Sequence, residues 1–272
     1  MELYDAIFRR KSTRKYSQES LSKEELEDLN EKITSTDVLF EDSEISVKLK
    51  DRDDVDDFLS GLIGNYGKIE APHYLVAFTE QEKGHLENLG YFLEKIVLEA
   101  TRKEIATCWM GSHFDKEALR EGFEFDGKLE PRVLVAFGMP EGGVNALREG
   151  PEEASRNVLS NIVLNDLDEL SEEWRKILDA ARMSPSAMNS QPWRFEVDDD
   201  GVHLYIKVGK GIVNKLGEAF GNLGELNRVD AGIALRHVQI AADKFSKELD
   251  FERLEGKGKE DLTYVISARE KD

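Results

Sequence analysis

The stretch Ser184-Pro185-Ser186-Ala187-Met188-Asn189-Ser190-Gln191-Pro192-Trp193 decides how the rest of the chain is read. It follows a helical pattern over residues 172–182 and precedes a short strand pattern over 194–197. Prolines at 185 and 192 bar both a regular helix and a central strand, so the segment is a stiff loop between two elements. Ser186, Asn189, Ser190 and Gln191 crowd it with hydroxyls and side-chain amides, donors and acceptors that suit the edge of a flat heterocycle better than a metal or a nucleophile. The same composition also fits a plain helix-to-strand turn with Pro192 and Trp193 packed on the core.

Outward from this loop, 272 residues suffice for one large domain or two small ones, and 40% hydrophobic residues fit a globular protein. No apolar run approaches the ~20 residues of a membrane span, and the first residues lack the apolar region of a signal peptide. The single cysteine, Cys108, excludes an internal disulfide, so the expected location is the cytoplasm. Net charge is 37 − 56 = −19, which argues against a general role on nucleic acid or anionic membranes. Against that background Arg9, Arg10, Lys11, Arg14 and Lys15 crowd into seven positions near the start. They mark either an anion site or a solvated basic face of the first helix.

In chain order, residues 2–8 read as a short amphipathic helix, and Ser22 with Glu25 forms a capping box that opens a second helix running to about residue 33. Residues 34–70 are acidic and weakly patterned, with a strand pattern at 45–49 and a helical one at 53–62. A buried-type strand over 71–78 leads to a long helix over 85–103, striped by Leu86, Leu89, Phe92, Leu93, Ile96, Val97 and Ala100. A turn at 108–111, a helix at 115–122 and a strand at 131–138 follow, and the turn-rich break at 139–143 is the expected boundary between two halves, 1–143 and 144–272. The second half repeats this order. Gly90, Leu93, Ile96, Leu98 and Ala100 reappear at a constant offset of 142 as Gly232, Leu235, Val238, Ile240 and Ala242, flanked by strands at 202–208 and 262–267. A shared stripe also arises between any two amphipathic helices; the matching element order favours an internal duplication.

Pro185-Ser186-Ala187-Met188-Asn189-Ser190-Gln191-Pro192-Trp193 resembles the flavin-contacting loop of the nitroreductase-like FMN oxidoreductases. Ala6-Ile7-Phe8-Arg9-Arg10-Lys11-Ser12-Thr13-Arg14-Lys15-Tyr16 resembles that family's phosphate-binding opening, and Ala106-Thr107-Cys108-Trp109-Met110-Gly111 resembles the segment that passes the reactive edge of the flavin. The resemblance implies an α+β, nitroreductase-like fold with mixed or antiparallel sheets flanked by helices, its two pseudo-repeated halves mimicking the family dimer. The family binds FMN at a dimer interface. The basic opening and the Thr-Cys-Trp-Met-Gly segment occur only in the first half and the Pro-Ser-Ala-Met-Asn-Ser-Gln-Pro loop only in the second, while residues 247–253 stand where a second Thr-Cys-Trp-Met-Gly would fall. The chain thus looks like a fused dimer that keeps one of two sites, with a monomer as the expected state.

By the resemblance, Arg10, Lys11, Ser12 and Arg14 take the FMN phosphate and ribityl chain, with Arg148 a further basic residue after the Gly-x-Pro turn. Pro185, Ser186, Ala187, Asn189 and Gln191 line the ring, and the backbone at Trp109, Met110 and Gly111 lies near flavin N5. Lys11 and the unpatterned 34–70 depart from the family pattern. The implied activity is ping-pong hydride transfer from NADH or NADPH, through the flavin, to a quinone, a nitro compound or another electron-poor acceptor. No catalytic side chain is then required. Cys108 reads as structural, residues 205–228 as a candidate lid, and the five histidines, His73, His85, His113, His203 and His237, lack ligand spacing. The Gly-rich stretches 209–211 and 217–224 lack the Gly-x-Gly-x-x-Gly spacing of a Rossmann turn. The competing reading is a carrier or sensor that binds a flavin or another ligand without turnover.

Overall fold

The computed structural model describes residues 1–59, 69–111, 114–123, 128–199, 201–207 and 223–271. Its helices are α1 (Leu3–Arg9), α2 (Lys23–Ser35), α3 (Arg52–Val55), α4 (His85–Arg102), α5 (Lys116–Gly122), α6 (Glu172–Arg182) and α7 (Leu223–Lys244). Its strands are β1 (Ile45–Asp51), β2 (His73–Thr79), β3 (Ala106–Met110), β4 (Glu130–Gly138), β5 (Trp193–Asp198), β6 (Gly201–Lys207), β7 (Leu249–Glu252) and β8 (Leu262–Glu270). The capping box forms as read: Ser22 N–H donates to Glu25 Oε2 at 2.8 Å and Glu25 N–H to Ser22 Oγ at 3.3 Å. Ser171 caps α6 in the same way, accepting Trp174 N–H at 3.2 Å.

The strands build two four-stranded sheets, β1-β2-β4-β3 and β5-β6-β8-β7, with every neighbouring pair antiparallel. Both sheets therefore use their strands in the same order: first, second, fourth, third. β2 is buried at every position, because one face of its sheet packs on α4 and α2 while the other is covered by Phe58, Phe114, Leu119 and Phe123. Two expectations are corrected. The segment at 108–111 is not a turn: residues 106–110 are the edge strand β3, and 249–252 form its counterpart β7. Strands this short at a sheet edge leave little periodicity to read. The helical pattern at 53–62 yields only α3 and a single 3₁₀ turn at Asp56–Phe58, with 60–68 outside the described residues.

Between the sheets α4 crosses α7. α4 is buried on nearly every side, so its stripe has no solvated back and polar residues such as Asn88 and Glu94 lie inside. At the crossing each helix offers a glycine to the other's backbone. A Cβ at Gly90 would lie 2.1 Å from Val229 O, and one at Gly232 only 1.9 Å from Glu87 O. These two contacts are related by the same offset of 142 found in the sequence. The division at 143 separates the sheets but not the cores: Ala6 and Ile7 of α1 pack into the core beneath β5, β6 and β8.

Candidate functional site

α1 ends at Arg9, and the chain leaves it extended. Arg10 pairs in a bridge with Leu147, Ser12 with Thr107 and Tyr16 with Pro140. The first pairing is locked by Arg148 N–H donating to Arg9 O at 2.7 Å and by Arg9 Nε donating to Arg148 O. It sets the buried side chains of Arg10 and Arg148 on neighbouring segments joined by that bridge. A third guanidinium joins them. Arg156 donates from Nε and Nη2 to Met183 O at 3.3 and 3.2 Å, and from Nη1 to Asn189 Oδ1 at 3.0 Å.

In this group burial and like charges act against the guanidinium charges. Burial, then the charge of Arg10, pushes Arg148 down to about 10. Burial, then Arg10, Arg148 and Arg182, pushes Arg156 down to about 9. Burial lowers Arg10 as well, with Glu94 pulling the other way. Arg10 Nε, Arg148 Nη1 and the nearby Thr107 Oγ1 are buried without a hydrogen-bond partner among the described residues. Buried donors and like charges left in this state are costly unless something fills the gap between them. Lys11, Ser12 and Arg14 are half-buried around the group, and Arg10 Nη1 lies 3.4 Å from Ser12 Oγ.

From Thr107 the edge of β3 leads away from the cations. Thr13 N–H donates to Thr107 O at 3.0 Å across that edge. A strand alternates the direction of its backbone groups, so Trp109, two residues on, also turns its N–H away from β4. Met110 points its backbone at β4, opposite Leu134, and buries its side chain behind the sheet. Of the three residues expected here, Trp109 and the following Gly111 are the ones on the open edge. Gly111 abuts the start of α7, where an added Cβ would lie 2.5 Å from Leu226 Cδ2.

One turn along α7, Asp230 anchors the 184–193 loop by accepting Ala187 N–H on both oxygens at 3.1 Å. The loop is strained: Met188, Asn189 and Gln191 have φ of 53°, 55° and 49°, a region that costs a non-glycine residue about 1–3 kcal/mol. Its own side chains hold it. Ser186 Oγ accepts Gln191 N–H at 3.0 Å, Gln191 Oε1 accepts Asn157 N–H at 2.8 Å, and Asn189 Nδ2 donates to Ser155 O at 3.1 Å. Asn189 and Gln191, expected to reach for a ring, thus spend these groups on clamping the loop to residues 155–157. Pro185 is buried, and Ser186 and Ala187 are half-buried. The candidate lid at 205–228 falls largely on 208–222, and the 209–211 and 217–222 Gly-rich stretches and His113 likewise lie outside the described residues.

Sequence reasoning missed Arg156, Asp230 and Glu94. The first lies in an unpatterned linker and the others inside the two long helices, while His237 carried no signal beyond its lack of ligand spacing. Asp230 is fully buried, and burial raises its carboxyl well above the usual range against the weaker opposing pull of Ala187 N–H. A carboxyl with a raised folded value loses stability as pH climbs from the unfolded value near 3.9 towards the folded one. Asp230→Asn keeps an acceptor for Ala187 and removes the ionisation. It is expected to raise the unfolding temperature by roughly 2–6 °C at pH 8, about 1–2 kcal/mol, and to change nothing at pH 3.5. Equal gains at both pH values in a calorimetric comparison would rule out ionisation as the cause.

Across the helix crossing the corresponding place is filled by side chains. Asn88, 142 positions before Asp230, accepts Leu39 N–H and Phe40 N–H on Oδ1 at 2.7 and 3.1 Å. Asn88 thus holds residues 39 and 40 by their backbone as Asp230 holds Ala187, a parallel the sequence reading did not find because only the backbone role is shared. Arg236, 142 positions after Glu94, lies with its guanidinium 3.4 Å from the centre of the Tyr91 ring and donates to both Asp37 oxygens at 3.2 and 3.0 Å. Burial opposes the Asp37 charge, yet Arg236 and Lys95 hold the carboxyl down to about 2. Phe251 of β7 packs edge-on against Tyr91, and Arg253 covers Phe40.

Among known families, the one described as "Putative TM nitroreductase" matches residues 2–242. A solved structure from Thermotoga maritima, described as a "putative nitroreductase", is similar at a TM-score of 0.65 and 20% identity, over 98% of this chain and 94% of that one. A nitroreductase family protein from Clostridium difficile is similar at 0.46 and 18% identity, over 62% of this chain and 98% of that one. A nitroreductase with bound FMN from Bacteroides fragilis is similar at 0.42 and 16% identity, over 53% of this chain and 91% of that one. No curated protein matches the chain.

Proposed function

The chain belongs to the TM nitroreductase family over residues 2–242, and on that premise we propose that it is an FMN-dependent oxidoreductase that takes its electrons from NADH or NADPH. The observation that carries the reading is the cluster of buried Arg10 and Arg148 with half-buried Arg156, in which Arg10 Nε and Arg148 Nη1 have no hydrogen-bond partner among the described residues. A phosphate supplies the charge and the acceptors this cluster lacks, and a planar guanidinium suits phosphate oxygens in pairs. Ser12 and Arg14 complete the phosphate end. The β3 edge and the Ala187 side of the clamped loop hold the ring, with Trp109 N–H directed at it. When bound, FMN supplies two-electron transfer between a nicotinamide and an electron-poor acceptor such as a quinone or nitro compound.

This chain's own residues hold the phosphate, fix the plane of the ring and leave one face open; no side chain need act as acid, base or nucleophile. The repeated strand order, the reciprocal glycines and the offset of 142 support a fused pair of family-like halves, 1–143 and 144–272. The side chains filling the place across the crossing support one FMN per chain. Titrating the purified chain with FMN is expected to yield a yellow protein with one flavin per polypeptide, bleached by NADH or NADPH in the absence of oxygen. Two flavins per chain would refute the single site, a yellow protein that neither nucleotide bleaches would make it a carrier, and no uptake of FMN would refute the whole reading.

A further inference from the structure

Trp109 is tied down from behind. Glu94, on α4, has no exposed surface, and its Oε2 accepts the indole Nε1–H of Trp109 at 2.9 Å. Its other oxygen lies 3.0 Å from Nε2 of His237 on α7, a ring equally buried, whose Nδ1 lies 3.0 Å from Ala180 O. A carbonyl oxygen only accepts, so Nδ1 carries a hydrogen. A second hydrogen must lie between Nε2 and Oε1, because two lone pairs do not face each other at that distance in a dry interior. Counted together, Glu94 and His237 are then electrically neutral wherever the shared hydrogen rests. Glu94 acts on the charges of Arg10 and Arg156, opposing the effect of their burial. Its visible work is to hold Trp109.

Holding the indole fixes more than a side chain. Trp109 is the residue of β3 whose N–H faces the open strand edge beyond the point where Thr13 runs alongside. An indole pinned to α4 and α7 sets the rotation of that residue and hence the direction of its N–H. We propose that Glu94 and His237 are positioning residues that aim the Trp109 backbone N–H at the reacting edge of the flavin, an inference that rests on the FMN reading above. They touch neither flavin nor substrate. An N–H directed at the ring draws electron density from it and so favours the reduced state.

The test uses the full chain loaded with FMN and reads the midpoint potential together with the affinity for oxidised FMN. Glu94→Gln reproduces both contacts, since its Nε2–H donates to a neutral His237 and its Oε1 accepts the indole; potential and affinity are expected to match the parent. Glu94→Leu leaves the indole and imidazole unpartnered, and Trp109→Phe removes the indole N–H. Each is expected to lower the preference for reduced over oxidised FMN about tenfold, a fall of about 30 mV for two electrons, while affinity for oxidised FMN stays within about threefold. Should Glu94→Leu fail to fold, Trp109→Phe decides the matter alone. An unchanged potential in Trp109→Phe overturns the inference, and so does a Glu94→Gln chain as impaired as Glu94→Leu, since charge and not aim would then be responsible. A parent chain that takes up no FMN removes the flavin reading itself, a failure seen before any variant is made.

Discussion

Replacing Arg10 with methionine will weaken FMN binding ten- to a hundredfold and, with no FMN present, will raise the unfolding temperature of the chain. The two effects have one cause. Arg10 is buried, its Nε has no partner among the described residues, and burial with the charges of Arg14 and, through their own shifts, Arg148 and Arg156 outweighs the opposing pull of Glu94. Without an anion, the guanidinium is a desolvated charge among like charges, and an apolar side chain of similar length relieves that. With the phosphate in place, the same group makes charge-assisted hydrogen bonds whose loss costs about 1.5–3 kcal/mol, which is the stated range in affinity. Fluorescence titration with FMN and thermal unfolding with and without FMN separate the two. If the methionine chain binds FMN normally, or if affinity and bare stability fall together, Arg10 is structural and the phosphate end lies elsewhere.

A single methyl group at Gly232 is the second large effect. It would fall 1.9 Å from Glu87 O, on backbone that cannot rotate out of the way, so the helices must part. Alanine gains roughly 1 kcal/mol over glycine in helix propensity. The overpacking at the crossing is expected to outweigh this and leave a net loss of about 2–3 kcal/mol. Gly90→Ala is expected to behave alike, since its Cβ meets Val229 O at 2.1 Å, while Gly258→Ala, with nothing within 4 Å, is the control. Denaturant midpoints decide the point: Gly232→Ala no less stable than Gly258→Ala would mean that the crossing has room for a methyl group.

What could be read in the sequence was local or periodic. The long helices, the capping box at Ser22, the basic opening and the stiff loop at 184–193 each declare themselves within a dozen residues. The offset of 142 was legible because both central helices are long. What stayed hidden depends on pieces far apart in the chain. β3 and β7 are too short to show alternation and exist because β4 and β8 lie beside them. Arg156 looks like any charged residue in a linker until Met183 O and Asn189 Oδ1 close around it. Glu94 reads as the polar side of an amphipathic helix, and only the burial of α4 on nearly every side turns it into an interior acid. Asn189 and Gln191 have the chemistry for a ring edge, yet the left-handed backbone around them requires internal clamps, and their amides supply those clamps.

Positions 94 and 236 occupy matching places on the two crossed helices, one an acid facing Trp109 and the other a base facing Asp37. Two identical subunits meeting about a true axis are compelled to carry the same residue in both places, so any change made for one cavity is inflicted on the other. A single polypeptide that furnishes both helices is released from that rule. On the proposed reading of a fused pair, the place beside Glu94 is left to a ligand, while the one beside Arg236 is taken by Asp37 and the Tyr91 ring.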